Sequence, residues 1–412
     1  MVTLLLWLST AVIVTTMTYN SGLFALSRRR WHLVDPGEQR RTYVFLLACL
    51  NEERVLGESL RRLMELPRTD CLVLVVDDAS DDRTAEIVRA ADPHRVLLHQ
   101  RHLPNARRGK GAALNDGLRH LVESGIVADR DPDEVVVCVL DADGRLAAGA
   151  VEEADRYFTD PRTGAVQIGV RMYNRGHSLL TRMQDMEFVV YTDIFQAARR
   201  HIGSVGLGGN GQFMRLSALR SLGPDPWSDR LTEDLDLGVR LIARGWENQY
   251  CPSAAVHQQA VIRLKLLVRQ RSRWFQGHMQ AMRLLPTVLR EIPAGAAADL
   301  TYHLSSPALL LLTSFLPLAF LAGILGFAAD SITQGHNTFP LIYLVPLYLL
   351  AFAPAYAYAY VYKRRERQLG ALRCLLLAHL FVAYGYLWFA AGWWAVGRVV
   401  SGRTGWLKTA RT

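Results

Sequence analysis

Long apolar runs stand at both ends of this 412-residue chain, and short apolar runs broken by charge fill its middle. Val2 to Leu26 is longer than a signal-peptide core and lacks an early basic region or a small-residue cleavage site. It reads as a retained membrane helix rather than a cleaved export signal. Arg28-Arg29-Arg30 follows directly, which places the middle of the protein on the cytoplasmic side. Through the middle, strand-like and helix-like patterns alternate. Strands are expected at Thr42–Leu50, Cys71–Val76, Arg95–His99 and from Val135, with later ones at Val166–Val170 and Gln249–Val256. Helices are expected at Glu58–Leu66, Asp81–Ala91, Ala112–Val122, Leu179–Arg200, Leu216–Leu222 and from Thr232 to Arg244. That alternation predicts an α/β domain whose mostly parallel sheet is covered by helices on both faces.

From Val261 to Ile292, arginines alternate with leucines and aromatics, the pattern of a basic amphipathic helix lying in the membrane interface. Leu304–Ala328 and Phe339–Tyr362 are each long enough to span, and Lys363-Arg364-Arg365-Glu366-Arg367 marks a cytoplasmic return. Cys374–Val396 is a further run of spanning length. As a single crossing it puts the tail outside, yet Arg398, Arg403, Lys408 and Arg411 make that tail basic. A simple span and a re-entrant hairpin both stay open. The expected domains are a membrane helix at 1–27, a cytoplasmic catalytic unit at 28–260, interfacial helices at 261–300 and a membrane region at 301–412. A multi-pass protein of a bacterial-type plasma membrane results.

Composition narrows the chemistry. Five cysteines show no metal-ligand spacing, and three of them sit in apolar strand-like runs, which agrees with a reducing compartment and argues against disulfides or zinc. The net charge of +9 belongs with arginines beside membrane segments, so anionic headgroups and a nucleotide diphosphate are better partners than nucleic acid. The apolar segments lack the buried charges of an ion path, which argues against a transporter.

The most informative stretch is Val135–Gly144, VVVCVLDADG. A buried strand runs into Asp141 and Asp143, which share one face of an extended backbone and so can reach one cation. Hard oxygens suit Mg²⁺ or Mn²⁺. Other carboxylates end neighbouring strands: Glu52 in Asn51-Glu52-Glu53, and Asp78 in the DDASDD turn. Both also suit helix caps. Lys110 stands in a glycine-flanked loop fit for a phosphate or base contact, and equally for a solvated surface position. Gly206–Arg215 (GLGGNGQFMR) is a glycine-rich turn able to approach a ligand closely, and Gly209, Asn210, Gly211 and Gln212 are expected to line a sugar pocket. Asp234 in Thr232-Glu233-Asp234 is the expected general base, with Glu233 beside it and Asp236 facing solvent. In Gln270-Arg271-Ser272-Arg273-Trp274, Arg273 suits diphosphate oxygens, Trp274 an acceptor sugar face and Gln270 its hydroxyls. His257, after the last strand, is within reach of a metal but more often such a histidine is structural.

In this order NEE, DDASDD, RRGKG, DAD, GNGQ, TED and QRSRW resemble the motifs of membrane-embedded family 2 glycosyltransferases, over residues 40–280. That family includes cellulose, hyaluronan, chitin and poly-N-acetylglucosamine synthases and some glycolipid synthases. The resemblance implies a Rossmann-like GT-A domain and inverting hexosyl transfer from a UDP-sugar. It also implies Glu52 and Asp78 at the uridine and ribose, Asp141 near the ribose, and Asp143 on the metal. The GNGQ form departs from the cysteine-containing loop of cellulose synthases, so the donor sugar does not carry over. A polymer synthase building a β-linked glycan is the leading expectation. Four spanning candidates are few for an enclosed polymer channel without a homo-oligomer or export partner, which keeps a glycolipid synthase acting on a diacylglycerol-type acceptor in view. An inactive membrane regulator on the same fold predicts decay of a motif, whereas DAD, TED and QxxRW are intact.

Overall fold

The computed structural model describes residues 2–31, 41–66, 70–315, 333 and 344–402. One eight-stranded sheet is built from β1 (Thr42–Cys49), β2 (Cys71–Asp77), β3 (Val96–Gln100), β4 (Val135–Val139), β5 (Arg145–Leu146), β6 (Thr163–Met172), β7 (Gln212–Arg215) and β8 (Glu247–Gln258). Their spatial order is β3-β2-β1-β4-β7-β6-β8-β5. The half from β3 to β4 is wholly parallel; β7 is antiparallel to both its neighbours, and β6 and β8 are parallel to each other.

Alternate residues of β1 explain why the strand reads as continuously apolar. Tyr43, Phe45 and Leu47 pack with Leu56 and Leu60 on one face, while Val44 and Leu46 pack with Leu114 and Leu118 on the other. Helices cover both sides, so neither face of the strand meets water. Chain direction from β1 leads outward to β2 and β3, whereas β4 lies on β1's other side. A crevice opens at such a reversal, beyond the carboxyl ends of β1 and β4. Glu52 and Asp141 stand there.

The expected elements form, with shifted ends. The helix carrying Lys110 begins at that residue, at Lys110–Glu123, after Gly109 at φ +113°. Leu179–Val190 opens with a reciprocal cap between Ser178 and Thr181, then continues as a π-helical turn, Tyr191–Gln196, and Ala197–Arg199. Three features depart from expectation. The glycine-rich segment contains the strand β7, whose QFMR sequence lacks alternation because all four residues are buried. Asp236 is buried and paired with Arg240 at 2.6 Å rather than solvent-facing. Ala371–Val400 is a single continuous helix, so the re-entrant hairpin is ruled out there.

Among the described residues, Ala371–Val400 is the helix long and apolar enough to cross a membrane. The proposed spans at Leu304–Ala328 and Phe339–Tyr362 lie partly, and the basic tail after residue 402 wholly, outside the described residues. The apolar helices are tied to the α/β unit by largely buried charge. Arg199 and Asp299 pair at 3.0 Å, with Tyr19 of the Val2–Ser27 helix donating to Asp299 at 2.7 Å. Arg171 bridges Asp185 and Glu366, joining β6 to the end of the Leu344–Arg365 helix.

Candidate active site

A cavity of about 540 Å³ lies at the crevice. The sheet side contributes Glu52, Asp78, Lys110 and Asp141, and the Gly208–Asn210 turn closes one edge. Glu233 and Asp234 enter from the start of the Glu233–Ala243 helix; Gln270, Arg273 and Trp274 come from the Leu264–Ala281 helix. Strand tips and the arginine–tryptophan helix therefore share one space.

The strand-tip loops are pinned to each other. Asn51, in the left-handed region at φ +53°, donates its N–H to Ser80 Oγ, and its side chain accepts from Asp81 N–H at 2.8 Å. Glu52 N–H donates to Thr84 Oγ1 at 2.8 Å. Asp78 is buried against the Arg101 guanidinium and accepts from Arg107 N–H at 2.9 Å. Lys110 Nζ donates to Asp141 Oδ1 at 2.7 Å and to the Gly209 carbonyl at 2.9 Å, and lies 4.0 Å from Glu233. It lines the cavity and is held by these contacts rather than standing free on a solvated surface. Asn210 is a buried strut: its Oδ1 accepts from Asp141 N–H at 3.1 Å and its Nδ2 donates to Gln258 at 2.8 Å.

Burial and the adjacent Asp234 charge push the Glu233 carboxyl up to about 7. Burial also raises Asp234, against the opposing pull of Lys110. Adjacent carboxylates in a dry cleft hold protons to unusually high pH, which is what a base needs to accept one near neutrality. Asp234 Oδ1 accepts the Leu235 N–H at 2.8 Å. A side chain at Gly209 would meet Asp234 Oδ2 at 2.7 Å, and the φ there is +72°, so only glycine fits.

Three expected residues, Gly211, Gln212 and Asp143, fall outside the cavity lining. Gln212 is fully buried in β7 between β4 and β6 and does not reach the cavity lining. Asp143 is 2% exposed, with Oδ2 accepting the Gln259 N–H at 2.9 Å. The chemistry of this donor pair nevertheless fits a divalent cation: hard carboxylate oxygens at a strand end, of which Asp141 already carries a cationic Nζ. Among the described residues no group of three or more His, Cys, Asp or Glu side chains is arranged around a metal. His257 lies on β8 opposite Arg145 and is no part of the cavity lining.

The helix wall holds what the motifs did not reveal. Arg271, 1% exposed, is buried rather than a surface headgroup anchor. It pairs with Glu187 at 2.6 Å and stacks over the Trp274 ring at 4.1 Å. Glu187 also accepts from Tyr384 at 2.7 Å and Trp388 at 2.8 Å, both on the Ala371–Val400 helix. Gly277 lets the helix seat on the Thr232–Asp234 segment: a Cβ there would meet Thr232 N at 2.9 Å. His278, His303, Ser306, Leu310 and Trp388 complete the lining. A lone Glu in a helical run and a glycine after QRSRW carried no recognisable signal.

Known proteins bear on this arrangement. Beta-monoglucosyldiacylglycerol synthase of Trichormus variabilis is 34% identical over 244 residues, covering 57% of this chain and 48% of its own. Poly-beta-1,6-N-acetyl-D-glucosamine synthase of Staphylococcus aureus is 29% identical over 236 residues, covering 57% and 53%. The aligned part of this chain thus spans about half the length of these curated relatives. A mannosyltransferase from Pyrobaculum calidifontis, solved with GDP-Man and Mn²⁺, superposes with a TM-score of 0.61 at 19% identity, over 91% of this chain and 96% of that one. That likeness establishes the GT-A-like fold. Residues 40–277 match the model described as glycosyltransferase like family 2, and the chain belongs to that glycosyltransferase family.

Proposed function

We propose that this chain is a membrane-bound inverting hexosyltransferase that moves a sugar from a UDP-sugar to an acceptor hydroxyl in the shared cavity. The observation that carries the reading is the convergence of Asp141, Glu233, Asp234, Arg273 and Trp274 on that space. The UDP moiety lies over the strand tips, with Glu52 and Asp78 toward the nucleoside and Lys110 and Arg273 toward the diphosphate. Asp141, backed by Asp143, would hold Mg²⁺ or Mn²⁺, which when bound neutralises charge on the diphosphate. Asp234 takes the acceptor's hydroxyl proton as the acceptor oxygen bonds the anomeric carbon. The anomeric bond to the diphosphate breaks in the same step, and UDP leaves with the electron pair. Arg273 meets the departing charge with its fork of donors.

A diacylglycerol-type lipid is the acceptor that the cavity favours. Its helix wall contributes the apolar side chains Phe188, Phe275, Pro307, Leu310 and Trp388, and the relative sharing 34% identity bears the name of a glucosyldiacylglycerol synthase. Extension of a β-linked glycan is the second reading, favoured by the Trp274 ring in the lining and by the poly-N-acetylglucosamine synthase relative. In both, the Val2–Ser27 and Ala371–Val400 helices lie in the bilayer and the sheet faces the cytoplasm. The test is purified protein in lipid vesicles with Mg²⁺ or Mn²⁺ and a panel of radiolabelled UDP-sugars, the products separated into solvent-soluble lipid and insoluble polymer. Labelled lipid from one donor is the expected result; no transfer from any donor overturns the reading.

A further inference from the structure

Resting on the glycolipid reading, one corner of the helix wall asks for a ligand of its own. His303, Ser306, Pro307 and Leu310 recur at i, i+3, i+4 and i+7 on the Ala294–Thr313 helix and all line the cavity. Proline has no N–H, so the carbonyl four residues before Pro307, that of His303, loses its intrahelical donor. His278 replaces it: its Nε2 lies 2.8 Å from that oxygen. A carbonyl only accepts, so the His278 proton is on Nε2. Burial pushes this imidazole down to about 4, which keeps it neutral. Its Nδ1 therefore carries a lone pair. The two rings meet edge to face at 4.7 Å. Among the described residues, His278 Nδ1 and the His303 ring nitrogens meet no other hydrogen-bonding group.

The location matters as much as the chemistry. His278 lies one turn beyond Trp274 and directly after Gly277, the residue that abuts Thr232 at the head of the Glu233–Asp234 segment. Two imidazoles that burial keeps neutral and a hydroxyl thus stand together in the lining, next to the glycine that abuts Thr232. Neutral groups able both to donate and to accept suit an alcohol, and they suit a phosphate poorly because none carries positive charge.

We propose that His278, His303 and Ser306 form the subsite for the hydroxyl-bearing glycerol head of a diacylglycerol-type acceptor, with Phe275, Leu310 and Trp388 against the start of its acyl chains. The subsite holds the acceptor oxygen toward Asp234 and makes no contact with the donor.

The experiment uses the full chain in phosphatidylcholine vesicles carrying graded dioleoylglycerol, with the labelled UDP-sugar that supports transfer. His303→Ala and Ser306→Ala are each expected to raise the KM for dioleoylglycerol by about three- to tenfold, the size of one lost neutral hydrogen bond. The KM for the UDP-sugar should stay within about twofold. His303→Gln, which keeps a donor and an acceptor, should recover part of the loss, a rescue that a merely structural role would not give. Unchanged acceptor KM in both alanine variants, with lipid product still forming, overturns the subsite and leaves the glycolipid reading standing. Wild-type protein that makes only polymer overturns the lipid acceptor and the subsite together.

Discussion

On the sheet side of the cavity, carboxylates meet cations supplied by the same wall: Asp78 faces Arg101, and Asp141 faces Lys110. The helix side buries Arg271 against Glu187 beneath Trp274 and Trp388; it brings Arg273 and an edge of Glu187 to the cavity, and lines the rest with apolar rings and a few neutral polar groups. A charged, hydrated donor belongs with the first wall and a largely apolar acceptor with the second. Glu233 and Asp234 lie between them. On the proposed reading, donor and acceptor are recognised largely by separate elements, Arg273 being the helix-wall residue that reaches the donor, so substitutions elsewhere on the two walls should produce separable defects.

The largest effect should come from the seam. Asp234→Asn removes the proton acceptor and should lower turnover by about 100- to 10,000-fold, the usual range for a general base. UDP binding measured by calorimetry should be nearly unchanged. Near-normal turnover would remove Asp234 from its role.

Behind the helix wall, Arg271→Met strands the Glu187 carboxylate in a low-dielectric site. A cost of about 3–5 kcal/mol is expected from breaking such a pair on one side, read as a fall in the unfolding midpoint of the detergent-solubilised chain. Adding Glu187→Gln should restore most of it. If the double variant is no better than the single one, the pair is not the tie between the helices.

A smaller effect should follow Gly277→Ala, which pushes the helix off Thr232. Overpacking of this kind costs about 1–3 kcal/mol. Here it should appear as lower kcat and a higher acceptor KM, with the UDP-sugar KM little moved. Equal loss of donor binding would contradict the separation of the walls.

The mildest test is pH. Because the buried Glu233 holds its proton up to about 7, the pair gives up its last proton only as the pH rises through neutrality. Its power to accept a proton should therefore grow with pH, and turnover should climb by several-fold between about pH 6 and pH 8. A flat profile in that window would separate catalysis from this pair.

Much of the sheet wall was legible in the sequence. Continuous apolar runs such as TYVFLLACL and VVVCVL announce strands buried on both faces, and their carboxyl ends carry the acids. The helix wall was not, because its contacts join residues far apart in the chain. Glu187 reaches Trp388 and His278 reaches His303, and nothing in the local sequence encodes either meeting. QRSRW was readable as a motif and pointed to Arg273, which lines the cavity, yet it gave no sign that Arg271 turns inward. Gln212 misled because a polar residue beside glycines looks like a loop, although its segment pairs as a strand between β4 and β6.

The most direct test of a single cavity with two differently built walls is a structure of the full chain with UDP and Mn²⁺. UDP density should run from Glu52 and Asp78 past Asp141 toward Arg273, leaving the His278–His303 corner clear. Nucleotide density lying against the Ala294–Thr313 helix, or away from Asp141 and Arg273 altogether, would contradict the account.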